Sequence, residues 1–142
     1  MKGFYKRNNI VYPYSEITKN LRVSVFTNYL NDQSDPHNSL WLWSYHILIE
    51  NYNDTPVKLI DRHWKITDAS GLTQEVKGEG VIGKQPTIRP DNYFEYTSGT
   101  PLKKSSGFMT GSYGMQWQTN EYFKIKIPTF SLDVPSNDKI IN

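Results

Sequence analysis

Apolar residues along this chain recur at every second position in short runs, the spacing of strands with one buried face. In Trp41-Leu42-Trp43-Ser44-Tyr45-His46-Ile47-Leu48-Ile49 the odd positions are all aromatic or β-branched. As a strand, this run presents one apolar wall, with Leu42, Ser44, His46 and Leu48 on the opposite face. Residues 21–27 read the same way, with Leu21, Val23 and Val25 inward. So do residues 122–127, where Phe123, Ile125 and Ile127 alternate with Tyr122, Lys124 and Lys126. Residues 57–67 place Ile60, Trp64 and Ile66 on one side, with Arg62 among them. Residues 109–117 form a further strand whose Gly111 and Gly114 mark a bulge or a close backbone approach.

Turn residues divide these runs at short intervals: Asn53-Asp54-Thr55-Pro56, Asp68-Ala69-Ser70-Gly71, Arg89-Pro90-Asp91-Asn92 and Ser105-Ser106-Gly107. The 8 prolines leave no long stretch with a helical apolar period. Short strands with frequent turns predict an all-β antiparallel sandwich or barrel rather than an α/β fold. Residues 1–17 read as a polar, partly extended arm, residues 18–135 as one domain, and residues 136–142 as a flexible tail. A chain of 142 residues buries roughly two-thirds of its unfolded surface, enough to form a core without staples.

Composition narrows the chemistry. The chain has 0 Cys, which removes disulfides, thiolate zinc sites and cysteine nucleophiles together. A net charge of +2 with scattered Lys and Arg lacks the basic stripe of a nucleic-acid binder, so none is expected as a partner. The basic start, residues 1–9, is followed by Ile10-Val11-Tyr12-Pro13-Tyr14, too short and interrupted for a signal sequence. No run approaches the ~20 apolar residues of a membrane span. The expectation is a soluble, cytoplasmic protein with no membrane partner.

One segment carries candidate binding chemistry. Lys77-Gly78-Glu79-Gly80-Val81-Ile82-Gly83-Lys84 holds G-x-G-x-x-G at Gly78, Gly80 and Gly83. Glycines at such spacing can turn successive amides toward an anion, and Lys77, Lys84 and Arg89 could add charge for a pyrophosphate. A dinucleotide-binding fold needs a helix after the loop. Gln85-Pro86-Thr87-Ile88-Arg89-Pro90 cannot start one, and Walker spacing is absent. A glycine-rich strand with a bulge is the competing reading.

The other constellations are weaker. His37, His46 and His63 show no metal-ligand spacing, and Asp32, Asp35, Asp61 and Asp68 do not form a calcium loop. Arg62 could pair with a carboxylate inside the sheet. Ser98-Gly99 and Gly111-Ser112-Tyr113-Gly114 are not nucleophile elbows. No catalytic residue, metal site or cofactor is expected, and the chain reads as a binder rather than an enzyme.

In order and spacing, several segments resemble the bacterial ApaG family. They are Gln33-Ser34-Asp35-Pro36, Arg62-His63-Trp64, Gly78 through Gly83 with Gln85-Pro86, Phe94-Glu95-Tyr96-Thr97-Ser98-Gly99, Gly107-x-Met109-x-Gly111-x-Tyr113 and Ile127-Pro128-x-Phe130. Pro90-Asp91 departs from the family's usual Pro-Gly, and residues 1–17 have no counterpart that can be mapped. The resemblance implies an immunoglobulin or fibronectin type III-like sandwich without established enzymatic activity. It further implies an association with cobalt and magnesium resistance, interaction with an unidentified protein partner, and a pyrophosphate or nucleotide role for Gly78, Gly80 and Gly83. An uncovered edge strand would also allow a homodimer.

Overall fold

The computed structural model describes residues 3–135, and the tail expected at residues 136–142 lies outside them. The strands in chain order are β1 (Tyr5–Arg7), β2 (Ile10–Tyr12), β3 (Tyr14–Thr18), β4 (Leu21–Tyr29) and β5 (Trp41–Asn51). They continue with β6 (Val57–Asp68), β7 (Thr73–Glu79), β8 (Thr87–Ile88), β9 (Tyr93–Leu102), β10 (Ser106–Trp117) and β11 (Tyr122–Asp133). Two antiparallel sheets face each other, one ordered β3-β4-β5-β9 and the other β11-β10-β6-β7, with β8 joining β6 beyond the end of β7. This is the sandwich anticipated from the alternation and the family resemblance.

The alternating residues meet between the sheets. Leu21, Val23, Val25, Ile47 and Ile49 from one side and Ile125 and Ile127 from the other are essentially inaccessible. Trp64 stands near the centre of an aromatic cluster, 5.3 Å from Tyr45 and edge-on to Phe130 at 5.9 Å, an arrangement aromatic quadrupoles favour. Gly111 and Gly114 are close-approach positions as anticipated: a Cβ at Gly111 would run into the His63 carbonyl, and one at Gly114 into Asp61 and Tyr122.

Two one-residue irregularities reset the alternation. Between β6 and β10 the register steps from Asp61 opposite Gly114 to Leu59 opposite Met115, which leaves Ile60 as the extra residue. Leu59 is therefore in the core and Ile60 half-exposed, whereas an unbroken alternation puts Ile60 inward. Between β10 and β11 the pairing jumps from Phe130 to Ile127 across Pro128-Thr129. A proline fits there because β11 is an edge strand and its ladder is already interrupted.

The first residues are built into the structure. Asn8 and Asn9, both at positive φ, turn β1 back onto β2, and β3 is an edge strand of the first sheet. The β1–β2 hairpin lies on the outer face of that sheet. Tyr12 is buried there beside Phe26 and His46, and Arg7 pairs with Glu50 at 3.1 Å. Leu48, on the same outer face, is fully buried as well.

Candidate functional site

The sheets close against each other along one long side only. There β11 packs on β3 and β4, joined by a Tyr14–Ser131 hydroxyl contact of 2.8 Å. On the opposite side β7 and β9 each have a single sheet neighbour, and a cleft runs between their free edges. Its deep part consists of two lobes of about 330 and 290 Å³ that share Tyr45, Arg62, Trp64 and Ser98. A wider trough of about 660 Å³ continues past Ile66, Gln74 and Pro101 towards Leu72 and Lys103.

Arg62 stands where the two lobes meet. It comes from β6 and shares the inward parity of Trp64 and Ile66, set by the extra residue at Ile60. Its Nη1 donates to the carbonyl oxygens of Glu79 at 3.0 Å and Gly80 at 2.8 Å. Among the described residues, Nε and Nη2 have no hydrogen-bond acceptor, and no carboxylate lies within ion-pairing distance of the side chain. Among those residues the close contacts between basic and acidic side chains are Arg7–Glu50, His46–Glu95 and His63–Glu75. The side chain is half-buried, so its charge is only partly hydrated.

The walls around it are phenolic and aromatic. Burial pushes the Tyr45 phenol above its ordinary range, while the Ser98 hydroxyl and the Arg62 charge act in the opposite direction. Tyr96 and Tyr113 share a buried hydroxyl–hydroxyl bond of 2.5 Å, and desolvation raises both phenols. These hydroxyls are therefore neutral across the physiological range and can donate. The cleft thus offers a cation beside neutral hydroxyls, which suits binding an acceptor group.

The glycine-rich segment forms one wall of this cleft, and each part of it has a place. Gly78 lies in β7 opposite Arg62, and a Cβ there would stand 2.9 Å from both Nη1 and Nη2. Gly80, at φ +62°, donates its amide to Ile60 O at 2.8 Å, and a side chain would run into the Lys84 carbonyl. Val81 and Lys84 exchange two main-chain bonds around a tight turn whose centre, Ile82-Gly83, has positive φ at both residues. The Gln85 side chain also donates to Ile60 O, and Pro86 O accepts the Leu59 amide. The segment therefore satisfies the bulge in β6 and seats Arg62.

The remaining residues singled out from sequence lie around this wall. Lys77 pairs with His63 in the ladder, on the opposite parity from Gly78 and Arg62, and is exposed. Lys84 closes the turn and is exposed, as is Arg89 beyond β8. His63 contacts Glu75, whose carboxyl is held below its usual range by that hydrogen bond. His46 bonds Thr97 and Glu95 and stacks on Phe26 at 4.8 Å. Tyr45, Tyr96 and Ser98 were not identifiable as cleft residues from sequence, because they reach Arg62 from two strands of the facing sheet.

The comparisons with known proteins agree on one family. A family model described as the ApaG domain matches residues 31–117. The chain is 53% identical over 122 residues to Protein ApaG of Rhodospirillum centenum, covering 86% of this chain and 94% of that protein. It is 50% identical over 129 residues to Protein ApaG of Bradyrhizobium diazoefficiens, covering 91% and 99%. A crystal structure of an ApaA protein from Bordetella pertussis superposes with a TM-score of 0.79 at 40% identity, over 82% of this chain and 94% of that one. With its sandwich open on one side and its glycine segment folded around Arg62, this chain belongs to the ApaG family.

Proposed function

We propose that this ApaG protein is a non-catalytic, cytoplasmic binding module that takes up an extended segment of a protein partner along the open side of its sandwich. One observation carries the reading. β7 and β9 both expose an unpaired edge to the same cleft, whereas the other long side is closed by β3 and β11. Free edges are templates for an added strand, with main-chain bonds giving affinity and flanking pockets giving selectivity. In this reading the association with divalent-cation resistance belongs to the partner's activity.

A photo-crosslinking residue at Gln74, in the cleft, tests this against one at Lys124, on the far edge strand. In native cytosol we expect a discrete protein adduct from position 74 alone. No adduct from position 74, or the same adduct from position 124, overturns the reading.

A pyrophosphate or nucleotide at the Gly78–Gly83 segment is the second reading. The main-chain amides of Gly80, Val81 and Lys84 already donate to carbonyl oxygens. Such a ligand would rely on Lys77, Lys84 and the turn amides of Ile82 and Gly83. Calorimetry with pyrophosphate, ATP and GTP, with and without Mg²⁺, tests it: absence of heat at millimolar ligand removes it.

A further inference from the structure

We infer that the cleft selects a segment carrying an acidic side chain, whose carboxylate is held bidentately by the Nε and Nη2 edge of Arg62. This rests on the reading that the cleft takes up a protein segment. It adds the chemistry by which that segment is chosen.

The argument begins with which guanidinium donors are in use. A guanidinium has five N–H groups, and the two on Nη1 match the two carbonyls it meets, Glu79 O at 3.0 Å and Gly80 O at 2.8 Å. Those bonds fix the plane of the group against Gly78, where nothing larger than a hydrogen fits. Three N–H groups are left, and two of them, Nε–H and the neighbouring Nη2–H, lie side by side. They form a parallel pair with the spacing of the two oxygens of a carboxylate. Arg62 is thus pre-oriented, so little side-chain entropy is lost when it binds.

The surroundings favour an anion. A half-buried cation with no carboxylate beside it has lost hydration without gaining a counter-charge. An incoming carboxylate would recover that loss. The hydroxyls of Tyr45 and Ser98 share both lobes with Arg62 and can donate to the same oxygens. Trp64 and, in one lobe, Tyr96 supply flat ring walls beside it.

The form of the cleft decides the source of the carboxylate. Arg62 stands between two lobes, one leading to Ile82 and Gly83 and the other to Thr100 and Pro101. A chain terminus calls for a dead end, whereas a passage open both ways suits a segment that runs through. The carboxylate therefore belongs to an internal aspartate or glutamate.

The test uses small probes and reads Arg62 directly. In ¹⁵N-labelled protein the Arg62 Nε–Hε resonance is assigned with Arg62→Lys and followed during titrations with benzoate, benzamide and inorganic phosphate. Benzoate combines a carboxylate with a flat ring suited to the aromatic walls, and benzamide is its neutral isostere. The expected result is a saturable benzoate shift at Arg62, absent for benzamide, with affinity, read at the backbone amide of Ser98 beside it, at least about tenfold weaker in Arg62→Lys and in Gly78→Ala. No shift at Arg62 beyond that of exposed Arg89, or an equal response to benzamide, overturns the carboxylate site. Tighter binding of phosphate than of benzoate at Arg62 overturns it in favour of a phosphoryl ligand. A benzoate response without any adduct from position 74 leaves the anion site standing and removes the protein-segment reading. An adduct without a benzoate response does the reverse.

Discussion

The guanidinium of Arg62 lies on the bare Cα of Gly78, so close that a single methyl group would displace it. Gly80, two residues on, has a different reason to be glycine: its backbone is left-handed and its side-chain position is occupied by the Lys84 carbonyl.

The two glycines should therefore respond differently to alanine. Gly78→Ala keeps an ordinary strand backbone and gives up the Arg62 bonds to Glu79 and Gly80, a loss of about 1 kcal/mol. Gly80→Ala adds left-handed strain to a main-chain clash and should cost roughly 2–3 kcal/mol. Urea denaturation of both variants checks the order. A larger loss for Gly78→Ala would show that the berth of Arg62 matters more to the fold than the turn does.

The β1–β2 hairpin should open as a separate unit. It meets the sheet through Tyr12, the Arg7–Glu50 pair and the Tyr5–Glu50 hydrogen bond, with Arg7 also 4.3 Å over the Tyr93 ring. Tyr12→Ala removes its one fully covered side chain. Native-state hydrogen exchange should then show lost protection at Arg7 and Ile10, the pair that closes the turn, with Ile47 and Ile49 still protected. Parallel loss in β5 would mean that the hairpin and the sandwich unfold together.

Alkaline pH should destabilise the protein through its buried phenols. Tyr96 and Tyr113 have folded pKa values raised by desolvation above the unfolded value of about 10. The folded state thus holds their protons more tightly than the unfolded chain does. Their contribution is constant below about pH 10 and is lost as pH climbs from there toward the folded values. Urea midpoints at pH 8 and at about pH 11 measure the loss. Tyr113→Phe, with one buried phenol fewer, should show a smaller drop over the same interval. An equal drop would place the alkaline sensitivity elsewhere.

The strands were readable from sequence because each sheet buries one face, and burial of one face writes itself as alternation. Leu21, Val23 and Val25 and the odd residues from Trp43 to Ile49 are clear examples. The phase of β6 was not readable. Leu59 and Ile60 are adjacent and both apolar, and only the pairing with β10 decides which is the extra residue. The covering role of residues 5–12 was hidden too, because Tyr5, Arg7 and Tyr12 find their partners at Glu50, Phe26 and Tyr93, far along the chain. The glycine segment stood out at once. Its relation to Arg62 needed the ladder that sets Gly78 opposite it. The cleft itself joins residues of β5, β6, β7 and β9, and no local pattern announces such a meeting.

The extra residue at Ile60 has a consequence for the sign of the cleft. Before it, Val57 and Leu59 face the core. After it, the inward parity passes to Arg62, Trp64 and Ile66, and Asp61, His63 and Lys65 are turned out. The same residues paired in unbroken alternation from Leu59, with Ile60 taken into the ladder, would present Asp61 where Arg62 now stands, with His63 and Lys65 in place of Trp64 and Ile66. Which charged side chain of β6 stands between the two lobes is thus decided by a single step of backbone counting, and the carbonyl of that one residue is what Gly80 and Gln85 hold in place.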